Sequence, residues 1–300
     1  MIVQTEDCMM HYSLENGQAY AVALSAKETV ETARNVHHLS PTNTAALGRL
    51  MMAALLTASD IKAENGDVTC IIDGGGPAGK ALAVASPKGT GRATIAHPEA
   101  DLPARERDGK LDVSGILGQS GRLTVVKDNG GREPYIGQTQ LQTGEVAEDF
   151  AYYFTLSEQR PCLIFTGVMV ERDCRVKSAG ALAIFPLPGC REDVLQALEQ
   201  RQTACGLLSF MLSEGMTLEE AMQAILSDMH FTVTQKTPVR YQCNCTREKM
   251  ERALISIGKQ ELETLIREDH KAEIVCQFCN KAYQFNQAEL EALLRQATQR

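Results

Sequence analysis

The order of apolar and polar positions divides the chain into three stretches of different character. In the first, to about residue 185, short period-two or β-branched runs at 68–72, 81–85, 123–127, 136–141 and 163–170 are separated by Gly, Pro, Asp and Asn, as sheet strands are. Helices interrupt them. Ser25 followed by Glu28 has the form of a capping box and predicts a helix ending near His38. Ser40 and Pro41 predict a second start, because a Ser N-cap satisfies orphan amides and Pro at the first helical position loses no hydrogen bond. The helix that follows, to Ala58, is apolar nearly all round and therefore central. Val146, Phe150, Tyr153 and Phe154 recur at helical spacing within 144–159 and predict a helix lying on the sheet.

Pro186, Leu187, Pro188 and Gly189 break this pattern, and helix formers dominate from there to Met229. Thr217 and Glu220 form another capping box, followed by a stripe of Ala221, Met222, Ile225, Leu226 and Met229 that needs a partner surface. Residues 231–238, polar and β-branched with a closing Pro, read as linker. The expected architecture is α+β, with a mixed sheet and helix core domain over 1–185, a helical linker over 186–238 and a small C-terminal domain over 239–300.

Three hundred residues exceed the usual size of a single core, in keeping with more than one unit. With 44% hydrophobic and 23% charged residues the chain is ordinary globular material, neither fibrous nor wholly disordered. A formal net charge of -8 repels phosphates and anionic membranes, so neither nucleic acid nor a membrane is expected as a partner. The start, MIVQTEDCMMHYS, lacks the basic, apolar and small-residue pattern of a secretory signal. The most apolar stretch, 45–58, holds Arg49 and falls short of the ~20 residues that span a bilayer. The expected address is cytoplasmic, a reducing compartment in which clustered cysteines are metal ligands or catalytic thiols more often than disulfides.

Of the ten cysteines, Cys8, Cys70, Cys162, Cys174, Cys190 and Cys205 are scattered singly and read as small packing residues. The other four form two knuckles, Cys243-Asn-Cys245 and Cys276-Gln-Phe-Cys279, separated by thirty residues. Two such pairs brought together by a folded insert supply the tetrahedral thiolate set that Zn2+ prefers, with Zn–S bonds of about 2.3 Å. Four thiolates leave no position for water, so the site is expected to be structural or redox-active and not hydrolytic, and no enzymatic activity is expected.

The insert has the pattern of a fold built around one ion. Thr246 is placed to cap a helix bearing Met250, Leu254 and Ile257, with Gly258 to stop it, and a second helix carries Leu262, Leu265 and Ile266. Ile274 and Val275 before the second knuckle, with Tyr283 and Phe285 after it, predict a hairpin. In a unit of about sixty residues, zinc binding worth ~10–16 kcal/mol exceeds the ~5–15 kcal/mol of total stability usual for a domain. Removing the ion is expected to unfold it. Thiolates are also the oxidisable form of cysteine, so peroxide or hypochlorous acid converts ligands to sulfenic acids and disulfides and couples redox state to order.

The segments YQCNCTREKMERALISIGKQELETLI and EIVCQFCNKAYQFN closely resemble the C-terminal zinc module of the 33-kDa heat-shock protein family, redox-regulated holdase chaperones of bacteria. HLSPTNTAALGRLMMAALL, EPYIGQTQLQTGEVAEDFAYYFTLSEQ and the break near Pro186 resemble that family's core domain and the start of its linker, so the resemblance covers almost the whole chain. GTGRATIAHP, from Gly89 to Pro98, departs from it where the family carries a more aromatic strand, and the six single cysteines are outside its pattern. The resemblance implies a reduced, zinc-bound, inactive monomer. On oxidation it implies that Cys243 pairs with Cys245 and Cys276 with Cys279, that zinc is lost, and that the module and linker loosen. It further implies dimerisation and ATP-independent holding of unfolding client proteins under oxidative stress and heat shock. The stripe with Met222, Ile225, Leu226 and Met229 is expected to be part of the surface uncovered.

Other signals are weaker. Gly74, Gly76 and Gly79 fit a dinucleotide-binding fingerprint, but KALAVAS after them alternates like a strand, which favours a glycine turn between strands. His37 and His38 lack any motif that fixes a catalytic geometry and read as helix-end residues. Cys276 and Cys279 alone suit thiol exchange, yet they sit on an expected hairpin instead of a helix start. A nucleic-acid-reading zinc ribbon would need a basic excess, whereas residues 239–300 hold ten Lys or Arg against nine Asp or Glu.

Overall fold

The computed structural model describes residues 6–131 and 133–298. It divides into one unit that runs to Gln242 and a second that begins at Cys243. The first opens with the hairpin β1 (Cys8–Leu14) and β2 (Ala19–Ser25), then α1 (Lys27–His37) and α2 (Pro41–Ala58). Strands β3 (Asp67–Asp73), β4 (Ala81–Ala85) and β5 (Thr90–Ile95), helix α3 (Val113–Leu117), and strands β6 (Arg122–Asp128) and β7 (Tyr135–Gln140) follow. Helix α4 (Val146–Ser157) leads into β8 (Leu163–Val170) and β9 (Val176–Pro186). Helices α5 (Glu192–Gln200), α6 (Gln202–Gly206), α7 (Leu208–Ser213) and α8 (Leu218–Ile225) come next, and β10 (Phe231–Pro238) and β11 (Arg240–Tyr241) close the unit.

The strands make two sheets, β10-β1-β2-β9-β8 and β11-β5-β4-β3-β6-β7, antiparallel throughout except for the parallel β11–β5 pair. Helix α2 packs against strands of both and is the centre of the main core. Its start is as expected, with Ser40 Oγ accepting from the Asn43 amide at 3.2 Å and Pro41 at the first position. Gly74, Gly76 and Gly79 lie in the β3–β4 turn, where a Cβ on Gly74 would stand 2.5 Å from the Leu117 and Gly118 carbonyl oxygens.

The five-stranded sheet is covered on both faces. Met9, Val22, Leu24, Ala181 and Ala183 point into the main core, while the alternate residues Met10, Tyr12, Leu14, Ala21, Ala23, Leu182 and Ile184 form a second apolar layer. The stripe expected to need a partner lies on this outer face: Leu218, Ala221, Met222, Ile225, Leu226 and Met229 are all buried there, with Val194, Leu198 and Leu208.

Three expectations change. Ser25 ends β2 and does not cap α1, whose N-cap is Ala26 with no side-chain bond of its own. The cap comes from a distance instead: the buried Asp7 carboxylate accepts from the Glu28 and Thr29 amides at 3.3 and 2.7 Å, and from the Thr29 hydroxyl at 2.7 Å. Residues 231–238, read as linker, form β10, an edge strand paired along β1 and ending at Pro238, where a missing amide costs no ladder bond. Residues 239–242 go with the first unit, since Val239 joins the main core and Tyr241 pairs beside β5.

The second unit holds α9 (Arg247–Ser256), α10 (Lys259–Glu268), the hairpin β12 (Lys271–Val275) and β13 (Ala282–Asn286), and α11 (Gln287–Thr298). The last helix adds to the two helices and hairpin expected. Its start is set by Asn286 and Glu289: Asn286 Oδ1 accepts from the Glu289 amide at 3.0 Å, and Glu289 Oε2 from the Asn286 amide at 2.9 Å. Among the described residues no helix is long and apolar enough to cross a membrane.

Candidate metal centre

The second knuckle sits in the turn of the β12–β13 hairpin. The Cys276 amide donates to the Lys281 carbonyl at 3.0 Å, and the Cys276 carbonyl accepts from the Cys279 and Asn280 amides at 3.3 and 2.8 Å. That tight turn needs a residue with positive φ, which Asn280 supplies at 56°, a conformation Asn tolerates better than most residues. The first knuckle lies in the extended segment before α9, where Thr246 Oγ1 accepts from the Lys249 amide at 3.3 Å as expected. Lys249 Nζ also donates to the Asn244 carbonyl between the two cysteines, at 2.7 Å.

Cys243, Cys245, Cys276 and Cys279 are thereby brought together, with all four sulfurs within 4.8 Å of one another. Cys243 Sγ is 3.6 Å from Cys276 Sγ, and Cys245 Sγ is 3.4 Å from Cys279 Sγ. Sulfurs at the corners of a zinc tetrahedron with 2.3 Å bonds stand about 3.8 Å apart, so the set fits a tetrahedral soft cation. Cys276 is buried and the other three are half-buried, and four thiolates complete a tetrahedron with no position left for a water ligand. The other six cysteines stay outside the cluster, with Cys8, Cys70 and Cys205 buried. Burial pushes the Cys205 thiol up to about 11 and Cys162 to about 12, which keeps both protonated and inert.

The four clustered thiols are not equivalent. Burial pushes Cys243 up to about 12 and raises Cys279. Burial also acts on Cys245, but the Tyr283 hydroxyl, donating to its sulfur at 3.2 Å, and the neighbouring thiols outweigh it and bring Cys245 down to about 7. Tyr283 was read from the sequence only as a strand residue. The same alternation that buries its ring sets its hydroxyl on the sulfur, and the Lys281 ammonium 5.0 Å from its ring polarises it further.

Arg247 is the second residue that sequence reasoning missed. Its guanidinium lies 4.4 Å from the Phe285 ring centre and donates to the Gln284 carbonyl at 3.1 Å and to Glu289 Oε1 at 2.6 Å. It thus ties the first turn of α9 to the hairpin and to α11. Around these contacts the apolar interior is small, namely Leu254, Leu262, Tyr283, Phe285, Leu290 and Leu293. Of the residues set aside, His37 is buried with Nε2 3.3 Å from the Tyr241 hydroxyl, and the exposed His38 takes positive φ at the C-cap of α1, both structural positions.

Comparison with known proteins bears on the family and the fold of the chain. Residues 7–286 match the family model described as Hsp33 protein. A 33 kDa chaperonin of Clostridium botulinum is 38% identical over 289 residues, covering 96% of this chain and 97% of the relative. The 33 kDa chaperonin of Clostridium perfringens is 39% identical over 290 residues, covering 97% of this chain and 91% of that protein. In structure, the 33 kDa chaperonin of Thermotoga maritima superposes with a TM-score of 0.87 at 33% identity, over 97% of this chain and 99% of that one. By sequence along nearly its whole length and by fold, the chain belongs to the Hsp33 family.

Proposed function

We propose that this protein is a cytoplasmic, ATP-independent holdase chaperone switched on by oxidation, with Cys243, Cys245, Cys276 and Cys279 as both zinc ligands and redox centre. The observation that carries this reading is the sulfur cluster in a unit with so small an apolar interior. When bound, zinc supplies a cross-link between the two knuckles.

In the oxidised state, paired within each knuckle as the family resemblance implies, each disulfide forms in two steps. A thiolate attacks one peroxide oxygen, the O–O bond breaks, and hydroxide leaves a sulfenic acid behind. The partner thiolate then attacks that sulfur and expels a second hydroxide, so the pair gives up two electrons and the peroxide becomes two waters after protonation. Disulfides within knuckles close loops of only a few residues and do not link residues 243–245 to residues 276–279, so they constrain the chain very little. The second unit then loosens.

The chaperone surface is assigned to the outer face of the five-stranded sheet and the linker stripe that covers it. Met10, Tyr12, Leu14, Leu182 and Ile184 form an apolar face once α5–α8 lift away, suited to unfolding client proteins or to a second copy of the chain in an activated homodimer. The protein has no enzymatic role in this reading. The test is light scattering of a thermally unfolding client, with zinc release followed in parallel, before and after peroxide at raised temperature. Suppression that is absent before oxidation and grows with zinc release is expected; equal suppression in both states overturns the reading.

A further inference from the structure

A second polar site lies in the first unit, away from the cysteines. A cavity of about 370 Å³ is lined by Arg49 of α2, by Arg105, Arg107 and Lys110 of the segment before α3, by Thr166 of β8 and by Ser209 of α7. Four cations gather here in a chain whose net charge is -8. Glu145 and Glu148 also line the cavity; both Glu145 oxygens are taken, Oε2 by Arg49 at 2.6 Å and Oε1 by Arg105 at 2.7 Å, while Glu148 is exposed to solvent and makes no ion pair among the described residues. Asp108 pairs with Arg105 at 2.9 Å and lies 3.7 Å from Arg107.

Two donors remain unspent. Arg49 Nε and Thr166 Oγ1 are buried and have no hydrogen-bond partner among the described residues. A buried guanidinium N–H without an acceptor is costly, so a cavity that holds one is shaped for an acceptor. Lys110 makes no ion pair among the described residues, and Arg107 keeps 74% of its side chain exposed, so both can swing onto a ligand. A planar fork, an ammonium and hydroxyls converging on one space are the recognition set of a phosphate-class oxyanion.

We propose that this cavity binds a small phosphate-class oxyanion and that the ligand holds the linker down. The cations come from the core, whereas Cys205, Gly206, Leu208 and Ser209 come from α6 and α7, so the cavity is complete only while those helices are docked. A ligand that binds the docked form and not the open one stabilises it by mass action, and at ten times its Kd the open population falls about tenfold. This second part rests on the linker opening proposed above; binding itself does not.

The experiment is calorimetric titration of the reduced full-length chain with inorganic phosphate and with pyrophosphate, against chloride at matched ionic strength. Both anions are expected to bind and chloride not to, and Thr166→Val or the double change Arg107→Ala with Lys110→Ala is expected to weaken binding about tenfold or more. Lys62→Ala with Lys88→Ala, which removes two exposed lysines elsewhere, is expected to leave binding unchanged. Absence of binding at millimolar phosphate, or binding equal in all variants, overturns the site. Hydrogen exchange of residues 202–213 is then read with and without phosphate. Slower exchange supports the coupling, and unchanged exchange despite binding removes it while leaving the oxidation switch to stand or fall on the client assay.

Discussion

Helix α2 and the helices of the second unit show two ways of making a fold. Of the eighteen residues in α2, sixteen are buried, so its order comes from apolar surface packed against strands of both sheets. Helices α9 and α10 have ten residues each and bury one apiece, Leu254 and Leu262. The first unit is held by area removed from water, whereas on the reading proposed above the second depends on an ion that four sulfurs converge to bind. Apolar burial is distributed and degrades gradually; a point cross-link is present or absent. A switch belongs in the second kind of structure.

The sharpest way to break this comparison is to remove the cross-link. Chelation, or Cys276→Ala, is expected to withdraw ~10–16 kcal/mol from the second unit and to abolish amide protection across residues 247–298, while α2 stays protected. Persistent protection of α9–α11 without metal would place the second unit in the same class as the first. The complementary change is Leu50→Ala in α2, where the side chain is fully buried. It is expected to cost the first unit about 2–5 kcal/mol in urea unfolding and to leave the metal affinity of the second unchanged.

How much of this was legible in the sequence follows the same divide. The knuckles, the Thr246 cap and the hairpin around Cys276 and Cys279 could be read because local spacing specifies them. The Ser40 and Thr217 caps and the strands β4 and β8 could be read for the same reason. Strands β1, β2 and β9 could not, because a sheet covered on both faces shows no alternation, and β9 is rich in Ala and Gly, which have little strand preference of their own. The Asp7 cap on α1 was invisible because its partner lies twenty-two positions away. Tyr283 and Arg247 were missed because a hydroxyl on sulfur and a guanidinium on a ring are facts of three dimensions.

Docking of the linker is the next thing to perturb. Gly167 and Gly180 face each other in register on β8 and β9 and leave a dent into which α7 settles. A Cβ on Gly167 would stand 2.3 Å from Ser209 Oγ and 2.7 Å from Ser209 Cβ, so the helix must move. Gly167→Val is expected to cost roughly 1–3 kcal/mol and to raise hydrophobic-dye binding and client holding in reduced protein that still carries its metal. Dye binding unchanged from the parent chain would show that α7 is not what covers the outer face.

The first unit also differs in carrying a carboxyl group inside, which gives its stability a pH dependence of its own. Burial raises Asp60 from 3.8 to about 6, with the Lys127 ammonium lowering it and Glu158 raising it further. An acid whose pKa is higher folded than unfolded gives stability that is full below about pH 4 and lost as pH rises through about 6. That rise sets a ceiling of about 3 kcal/mol, and Arg160 Nη1, 2.9 Å from Asp60 Oδ2, brings the effect to about 1–2 kcal/mol. Urea unfolding of the first unit between pH 4 and 7 should show that loss, and Asp60→Asn should flatten it; an unchanged slope in the variant would assign the titration elsewhere.

The finest distinction lies within the sulfur cluster, where Cys245 alone carries the Tyr283 hydrogen bond. A donor on a thiolate occupies a lone pair that would otherwise attack peroxide and steadies the charge that ligation requires. Tyr283→Phe keeps the ring among Leu254, Phe285 and Leu290 and removes only that donor. Loss of one hydrogen bond to a charged sulfur is worth about 1 kcal/mol, or about a fivefold effect. Metal affinity should fall by that factor and thiol oxidation by peroxide should quicken by it, with the fold of the reduced second unit unchanged by circular dichroism. If affinity fell while oxidation kept its rate, the hydroxyl would serve the metal site alone, and the reactivity of Cys245 would be set by its three neighbouring sulfurs.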